Sequence, residues 1–263
     1  MTRLSTPLTP AVIKWFIRQY KVDMSEALET DITTYKTFNE FFTRALKPGA
    51  RPQPTQANTL ASPADGRISA FGDIKQGLLL QAKQHDYSVE SLLADSKVAK
   101  RFSNGSFVTV YLSPRDYHRI HMSDSGSLVS MTHVAGRLFS VAPSSVNTIP
   151  SLFARNERVI TLFETSHGAM AMVLVGAMNV AAIETVWAGQ ITPFGKTSRS
   201  QPSHWHYQDE GQRREFGQGD EMGRFNMGST VIVLTETALD FVPDLANQSP
   251  VKMGLPLASF RSS

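Results

Sequence analysis

A change of hydrophobic period along the chain constrains its fold more than any other sequence feature. Up to about residue 50, apolar residues recur three and four positions apart, which is the spacing of an amphipathic helix. Beyond residue 58 they occur in short runs rich in β-branched side chains, such as residues 231–234, which is typical of strands. Residues 51–58, with Pro52 and Pro54, separate the two patterns and have the composition of a linker.

The sequence therefore predicts an α+β protein, with N-terminal amphipathic helices (residues 1–50) on a mostly antiparallel, β-rich body (residues 51–263). We predict one or two short helices within 88–102, a hairpin turn at 166–168 and a long polar loop over 189–220. Strands are predicted at 106–112, 127–134, 158–165, 169–177, 179–187 and 230–234.

The first helix is predicted to begin with Thr9 as its N-cap and Pro10 at its first position. It has an apolar face and a cationic one. The apolar face holds Val12, Ile13, Phe16, Ile17 and Tyr20, and the cations are Lys14, Arg18 and Lys21. Such a helix suits an anionic membrane surface, and it equally suits packing on the protein body with a solvated basic face. Residues 23–26 and 37–40 both have the pattern of a capping box.

Composition excludes several classes of protein. The chain has no cysteine, so it has neither disulfides nor thiolate metal sites, which fits a reducing compartment. No apolar stretch approaches the roughly 20 residues that span a bilayer, and the first apolar run is too interrupted by cations for a cleavable signal. The net charge is only +3 and no basic stripe carries interleaved aromatics, so we expect no nucleic-acid partner.

Gly228 and Ser229 stand directly before the apolar run 231–234. A glycine leaves its carbonyl sterically open, and the hydroxyl of the following serine can attack it. This pair suits a chain that cuts itself, although Gly-Ser-Thr before a strand is also an ordinary turn sequence.

Asp65, His121 and Ser229 provide an acid, a base and a nucleophile in that chain order. This inventory is compatible with a Ser-His-Asp hydrolase, but no Gly-x-Ser-x-Gly elbow surrounds Ser229. Asp65 before Gly66 also suits a plain turn, and His118 and His121 also suit a metal site. A zinc site would need a third ligand, for which His204 and His206 offer the nearest cluster; we predict no metal.

Three segments together resemble the proenzyme of the pyruvoyl-dependent phosphatidylserine decarboxylases. They are Ser-Pro-Ala-Asp-Gly-Arg-Ile at 62–68, Tyr-Leu-Ser-Pro-Arg-Asp-Tyr-His-Arg-Ile-His-Met at 111–122 and Glu-Met-Gly-Arg-Phe-Asn-Met-Gly-Ser-Thr at 221–230. Residues 35–42, 156–159 and 183–189 extend the resemblance in the same order. Met227 stands where leucine is common in the family, a swap that conserves volume.

The resemblance implies cleavage between Gly228 and Ser229 into a large chain (1–228) and a small chain (229–263). Ser229 would attack the carbonyl of Gly228, with His121 as base and Asp65 orienting His121. Ser229 would then become a covalent pyruvoyl cofactor, whose ketone forms a Schiff base with the substrate amine. Such a group takes up the electrons left by decarboxylation, as pyridoxal phosphate does elsewhere. His118 is the candidate proton donor to the resulting carbanion.

The implied reaction is decarboxylation of phosphatidylserine to phosphatidylethanolamine and carbon dioxide. Segment 1–50 would then serve membrane association, on the cytoplasmic face of a bacterial membrane, because the targeting sequence and membrane helix of mitochondrial members are absent from the sequence. Family members are often dimers, so a homodimer is expected. The alternatives are a Ser-His-Asp hydrolase acting on lipids or peptides, and a non-catalytic, membrane-associated β-domain.

Overall fold

The structure is a computed structural model that describes residues 7–52, 57–82, 85–177, 182–192, 201–209, 211–226 and 229–261. Its helices are α1 (Thr9–Tyr20), α2 (Phe38–Phe42), α3 (Val89–Leu93), α4 (Ser96–Arg101), α5 (Pro143–Val146) and α6 (Leu152–Arg155). Its strands up to β9 are β1 (Thr59–Ala61), β2 (Gly66–Asp73), β3 (Leu78–Ala82), β4 (His85–Ser88), β5 (Ser106–Leu112), β6 (Arg119–His121), β7 (Gly126–Val134), β8 (Arg158–Thr165) and β9 (Gly168–Val175). The remaining strands are β10 (Ile183–Thr185), β11 (Gly189–Gln190), β12 (Ser203–His206), β13 (Glu215–Phe216), β14 (Glu221–Phe225), β15 (Ser229–Thr235), β16 (Leu239–Phe241), β17 (Pro250–Val251) and β18 (Pro256–Phe260).

The strands form one large sheet and three smaller ones. Within the described residues the large sheet has the order β12-β7-β8-β9-β15-β5-β2-β17, with β13 also paired to β7. The smaller sheets are β11-β10-β14-β6, β1-β18-β16 and β3-β4. The pairings of β15 with β5 and β9, and of β14 with β6, are antiparallel. The predicted α+β fold with a mostly antiparallel, β-rich body is confirmed.

Both faces of the large sheet are buried at its centre, which explains the continuous apolar run of β15. Side chains of a strand alternate between the faces of the sheet. Val231 and Val233 accordingly join the hydrophobic core on one face. Ile232 and Leu234 join a second core on the other face, where α3 and α6 also pack.

The N-terminal helices form a third, aromatic cluster. Ile13 and Phe16 of α1 are buried against Phe41 and Phe42 of α2. The ring of Phe16 lies about perpendicular to those of Phe41 and Phe42, with centroids 6.0 Å apart in each pair. Ile13 and Phe16 thus pack α1 on the body, while Leu8, Val12 and Trp15 stay exposed.

Some local predictions were wrong for identifiable reasons. Leu8 rather than Thr9 occupies the N-cap of α1, without a side-chain cap. Asp23 caps a turn by accepting from the N–H and hydroxyl of Ser25, so no helix follows the first predicted capping box. The second box is confirmed, since Thr37 accepts from the N–H of Glu40 at the start of the short helix α2.

The polar region 189–220, predicted to be a loop, contributes three short strands where it is described. These are β11, which pairs with β10, and β12 and β13, which both pair with β7. The helices α3 and α4 and the turn at 166–168 lie where they were predicted.

Candidate active site

The loop that follows β5 lies between the two segments that flank the predicted cleavage bond. β5 ends at Leu112, which pairs with Ser229 at the start of β15. On the other side of the bond, the N–H of Phe225 donates to the carbonyl of His118 (3.0 Å). Gly228 lies outside the described residues, and of Ser229 the structure describes the backbone.

A network of polar side chains holds the segment that leads to the cleavage bond. Arg224 donates to Glu184 (2.7 Å), which also accepts from the amide of Asn226 (2.8 Å). The amide of Asn39, in α2, donates to Asn226 in turn (2.9 Å). Asn226, two residues before Gly228, is therefore anchored both to the N-terminal helices and to β10.

His118 is fully buried and has one nitrogen without a partner. Its Nδ1 lies 2.8 Å from the carbonyl oxygen of Asp116. Because a carbonyl only accepts, Nδ1 carries the proton and Nε2 is an unprotonated acceptor. Nε2 has no hydrogen-bond partner among the described residues. The ring packs against that of Phe42, with centroids 4.0 Å apart.

Burial lowers the pKa of His118 to about 3, against the weaker opposing effect of the Asp116 carbonyl. The imidazole is therefore neutral at physiological pH. A neutral imidazole with a bare Nε2 accepts a proton there before it can donate one. This refines the role expected of His118 as a proton donor.

His121 is the last residue of β6 and is also buried. Its Nδ1 donates to the carbonyl of Gly219 (2.8 Å), and its Nε2 accepts from the hydroxyl of Tyr117 (3.0 Å). Burial lowers the pKa of His121, although the carbonyl of Gly219 and the charge of Glu221 act in the other direction. His121 is thus held as a neutral base whose available nitrogen is Nε2.

Asp65 forms a bidentate ion pair with Arg51, in which Nε of Arg51 lies 2.8 Å from Oδ1 of Asp65 and Nη2 contacts Oδ2. Oδ1 also accepts from the N–H of Met253 (2.9 Å). Arg51 bonds to Glu26 as well (2.7 Å). These contacts occupy both oxygens of Asp65.

The structure does not join Asp65 and His121 by the direct hydrogen bond of a catalytic triad. Nδ1 of His121, which would donate to Asp65, donates to Gly219 instead. The two residues are linked through the backbone, because the N–H of His121 donates to the carbonyl of Pro63 (2.9 Å), two residues before Asp65. The arrangement also lacks the Asp–His contact that a Ser-His-Asp hydrolase needs.

Gly66 explains why a glycine follows Asp65. A Cβ at this position would lie 2.3 Å from the carbonyl oxygen of Tyr111. Only glycine lets β2 approach β5 so closely at this point. The turn that carries Asp65 is thereby held beside the strand that leads into the histidine loop.

A cavity of about 260 Å³ opens at Asp65 and Tyr117. It lies between the end of α1, the segment after α2 and the loop that precedes His118. Its wall is strongly charged. The other charged residues that line it are Lys21, Asp23, Glu26, Arg44, Arg51, Arg115, Asp116 and Lys252.

The two histidines named as further metal ligands, His204 and His206, lie on a different sheet from His121. His204 and His206 are exposed on β12, at the edge of the large sheet, and His204 contacts Thr132 (3.0 Å). Within the described ranges, no group of three or more histidine and acidic side chains gathers in a way that could hold a metal ion.

Sequence reasoning did not identify several residues that shape this site. Arg51, the first residue of the predicted linker, holds Asp65, and Phe42 packs on His118. Tyr117, four residues before His121, contacts it directly. Arg44, two residues after α2, belongs to no motif in the sequence.

Comparisons with known proteins identify the family of this chain. A family model described as phosphatidylserine decarboxylase matches residues 38–259. The chain is 51% identical over 259 residues to the phosphatidylserine decarboxylase proenzyme of Shewanella putrefaciens strain CN-32, covering 97% of this chain and 89% of the relative. It is 52% identical over 256 residues to the proenzyme of Shewanella woodyi, covering 95% of this chain and 88% of the relative.

These matches define a class, that of the decarboxylase proenzymes. The chain belongs to the phosphatidylserine decarboxylase family.

Proposed function

We propose that this chain is a self-processing carboxy-lyase that converts phosphatidylserine to phosphatidylethanolamine and carbon dioxide. The observation that carries the proposal is the match to decarboxylase proenzymes over nearly the whole chain. The buried histidines His118 and His121 support it, because they lie opposite the strand Glu221–Phe225 and the reaction needs proton acceptors.

Self-processing begins when Oγ of Ser229 attacks the carbonyl carbon of Gly228 and converts the amide to an ester. Loss of the Cα proton of residue 229 then breaks the ester. This step leaves a carboxylate at Gly228 and a dehydroalanine at position 229. Addition of water and release of ammonia turn the dehydroalanine into a pyruvoyl group.

His121 is the proposed base for this step, and Nε2 is the atom that takes the proton of Ser229. The hydroxyl of Tyr117, which donates to Nε2, has to turn away or pass the proton on. Asp65 acts as a positioning residue. Its contacts with Arg51 and with the N–H of Met253 fix the turn whose Pro63 carbonyl receives the N–H of His121.

The pyruvoyl group, when formed, supplies a ketone that condenses with the substrate amine and takes up the electron pair left by carbon dioxide. The surroundings fit such a group, because the carbonyl of His118 bonds to the N–H of Phe225 and its buried Nε2 has no partner among the described residues. Nε2 is the proposed site that receives a proton in the enzyme–substrate complex and passes it to the α-carbon after carbon dioxide leaves. The neutral resting state of His118 suits this order of events.

The N-terminal segment is proposed to dock the enzyme on an anionic membrane surface, at the cytoplasmic face of a bacterial membrane. Leu8, Val12 and Trp15 lie four and three residues apart on α1, and are 69%, 46% and 59% exposed. The exposed Lys14 and Arg18 lie on the same helix. Among the described residues, no helix has both the length and the apolar character to cross a bilayer.

The proposal is tested by assaying purified protein on vesicles that contain phosphatidylserine. We expect stoichiometric phosphatidylethanolamine and carbon dioxide, and inactivation by a carbonyl reagent such as hydroxylamine. The Ser229→Ala variant should remain one chain and be inactive. Release of fatty acids, together with labelling of Ser229 by a serine-directed phosphonate, would instead support the hydrolase.

A further inference from the structure

Arg44 is a buried arginine without a carboxylate partner in the described part of the chain. It is 5% exposed, and its Nε has no hydrogen-bond partner. Its one side-chain hydrogen bond is long, from Nη2 to the carbonyl of Arg115 (3.4 Å), and the guanidinium lies 5.5 Å from the ring centroid of Phe41. A guanidinium stays charged, and a buried charge without a counter-ion is costly. Arg44 therefore forms no ion pair among the described residues, although the charges of Asp65 and Asp116 act on it from a distance.

This arginine lies next to the proposed chemistry. It lines the cavity of about 260 Å³ together with Asp65 and Tyr117. Two residues before it, Phe42 packs on the ring of His118. Burial is the main cause of the low pKa of His118, and the positive charge of Arg44 adds to the effect, so the two groups are within electrostatic reach.

The other charges of the cavity leave Arg44 available. Arg51 is bound by Asp65 and Glu26, and Lys252 by Glu26 (2.7 Å). The carboxylate of Asp116 accepts from the N–H and hydroxyl of Ser113.

Two further cations stand nearer the solvent. Arg115 is half exposed and lies 3.9 Å from Asp116. Lys21 is exposed at the end of α1 and has no carboxylate within 4.0 Å among the described residues; the exposed Asp23 bonds to Ser25. An anion that enters the cavity therefore meets an unpaired Arg44 inside and Lys21 at the rim.

We propose that Arg44 binds the phosphodiester, and not the carboxylate, of the substrate headgroup. This inference rests on the proposed function. Guanidinium groups bind phosphate oxygens through two parallel N–H donors. A guanidinium on the carboxylate would stabilise the ground state that decarboxylation must leave, whereas a phosphodiester keeps its charge throughout the reaction.

The test measures binding by calorimetry with glycerophosphoethanolamine, which has the phosphodiester and the amine but no carboxylate. The variants are Arg44→Met, Arg44→Lys and the control Arg155→Met; Arg155 lies over the ring of Phe139 (4.9 Å) but outside the cavity lining. We expect Arg44→Met to raise Kd about 30-fold or more, as for loss of a buried charge partner. Arg155→Met should change Kd by less than about twofold.

The same variants are then assayed on dihexanoyl phosphatidylserine. Arg44→Met should raise KM while both fragments of self-cleavage still form, and Arg44→Lys should raise KM less, because lysine keeps the charge but loses the two-pronged geometry. If Arg44→Met does not fold, the Kd and KM of Arg44→Lys are compared with those of the wild type instead. A Kd and a KM that are both unchanged in the folded variant would overturn the proposal.

Two other results would also overturn it. An unchanged Kd for glycerophosphoethanolamine with a raised KM for phosphatidylserine would assign Arg44 to the carboxylate. Inorganic phosphate binding as tightly as the diester would indicate a free-phosphate site. If wild-type protein binds the diester through Arg44 but releases no carbon dioxide from phosphatidylserine, the proposed function fails and the anion site stands.

Discussion

At the scale of single residues, the two histidines of the site are kept neutral by burial. For His118 the pKa in the folded chain is about 3, below the ordinary value of 6.5. Between these values the unfolded chain binds a proton that the folded chain does not. Protonation therefore favours unfolding. The contribution of neutral His118 to the free energy of unfolding is fully present above pH 6.5 and is lost as the pH falls toward 3.

The first prediction follows from this difference. In a Ser229→Ala background, where the chain stays whole, the free energy of unfolding should decrease below pH 6.5 with a slope of up to about 1.4 kcal/mol per pH unit from this group. Replacing His118 by Phe should flatten that slope. Urea denaturation from pH 4.5 to 7.5 measures it, and equal slopes in the two proteins would refute a neutral, buried His118.

A second prediction concerns His121. Its lowered pKa keeps Nε2 unprotonated at pH values where a free histidine would already be charged. If His121 is the base, self-cleavage should retain more than half its maximal rate at pH 6.5. Gel analysis of a freshly translated proenzyme across pH 5 to 8 gives the profile, and a midpoint above 6.5 would speak against this role.

The third prediction distinguishes positioning by Asp65 from direct contact with His121. Arg51→Met removes the cation that pairs with the buried Asp65, so it should lower the free energy of unfolding by about 3–5 kcal/mol. Asp65→Asn should cost less, because Arg51 keeps its ion pair with Glu26. Both should slow self-cleavage, and the double variant should be little worse than either single one. Fully additive rate losses would show that Asp65 acts without Arg51.

Sequence reasoning found residues with reactive side chains and missed those that hold them. Asp65, His118 and His121 stand in segments whose residue types suggest chemistry. The partners of Asp65 and His121, namely Arg51, Met253 and Gly219, are distant in sequence and two of them are chemically inconspicuous. Their contacts depend on how the sheets and loops meet, which no local pattern records.

At the scale of elements, β15 fixes the position of the proposed small chain. It begins at Ser229 and pairs along its length with β5 on one side and with β9 on the other. The small chain would therefore start inside the large sheet. The same strand was predictable from its β-branched run, whereas the short strands β11–β13 were not, because their polar residues form strands only through pairing partners.

The fourth prediction is that the two fragments stay together after cleavage. A strand hydrogen-bonded on both sides and buried on both faces can leave only if the sheet opens. The fragments should co-elute in gel filtration and separate only in denaturant. Dissociation in native buffer would contradict the position of β15.

At the scale of the whole molecule, α1 divides its apolar residues between two surfaces. Ile13 and Phe16 pack on the body, so deleting the helix would also disturb the fold. Substituting only the exposed residues of this region is therefore a sharper test of membrane docking than deleting the helix. Such substitutions do not test the predicted boundary between segments 1–50 and 51–263. The expected homodimer also stays a prediction, which sedimentation equilibrium would test.

The fifth prediction is that changing Leu8, Val12 and Trp15 together to Gln lowers activity on anionic vesicles by roughly tenfold or more, since each exposed apolar side chain adds to insertion. Activity on dihexanoyl phosphatidylserine should not change. Val186→Gln, at another exposed apolar residue, is the matched control. Equal losses on both substrates would exclude a role in membrane docking.

The most direct measurement is the intact mass of the purified protein under denaturing conditions. Self-processing predicts one fragment that ends at Gly228 and another that begins at position 229 with a pyruvoyl group. The second fragment should be lighter by one ammonia than the same fragment with an N-terminal serine, and it should be blocked to Edman degradation. Ser229→Ala should give a single mass. A catalytically active sample that consists of one uncut chain of 263 residues, with an ordinary serine at 229, would contradict it.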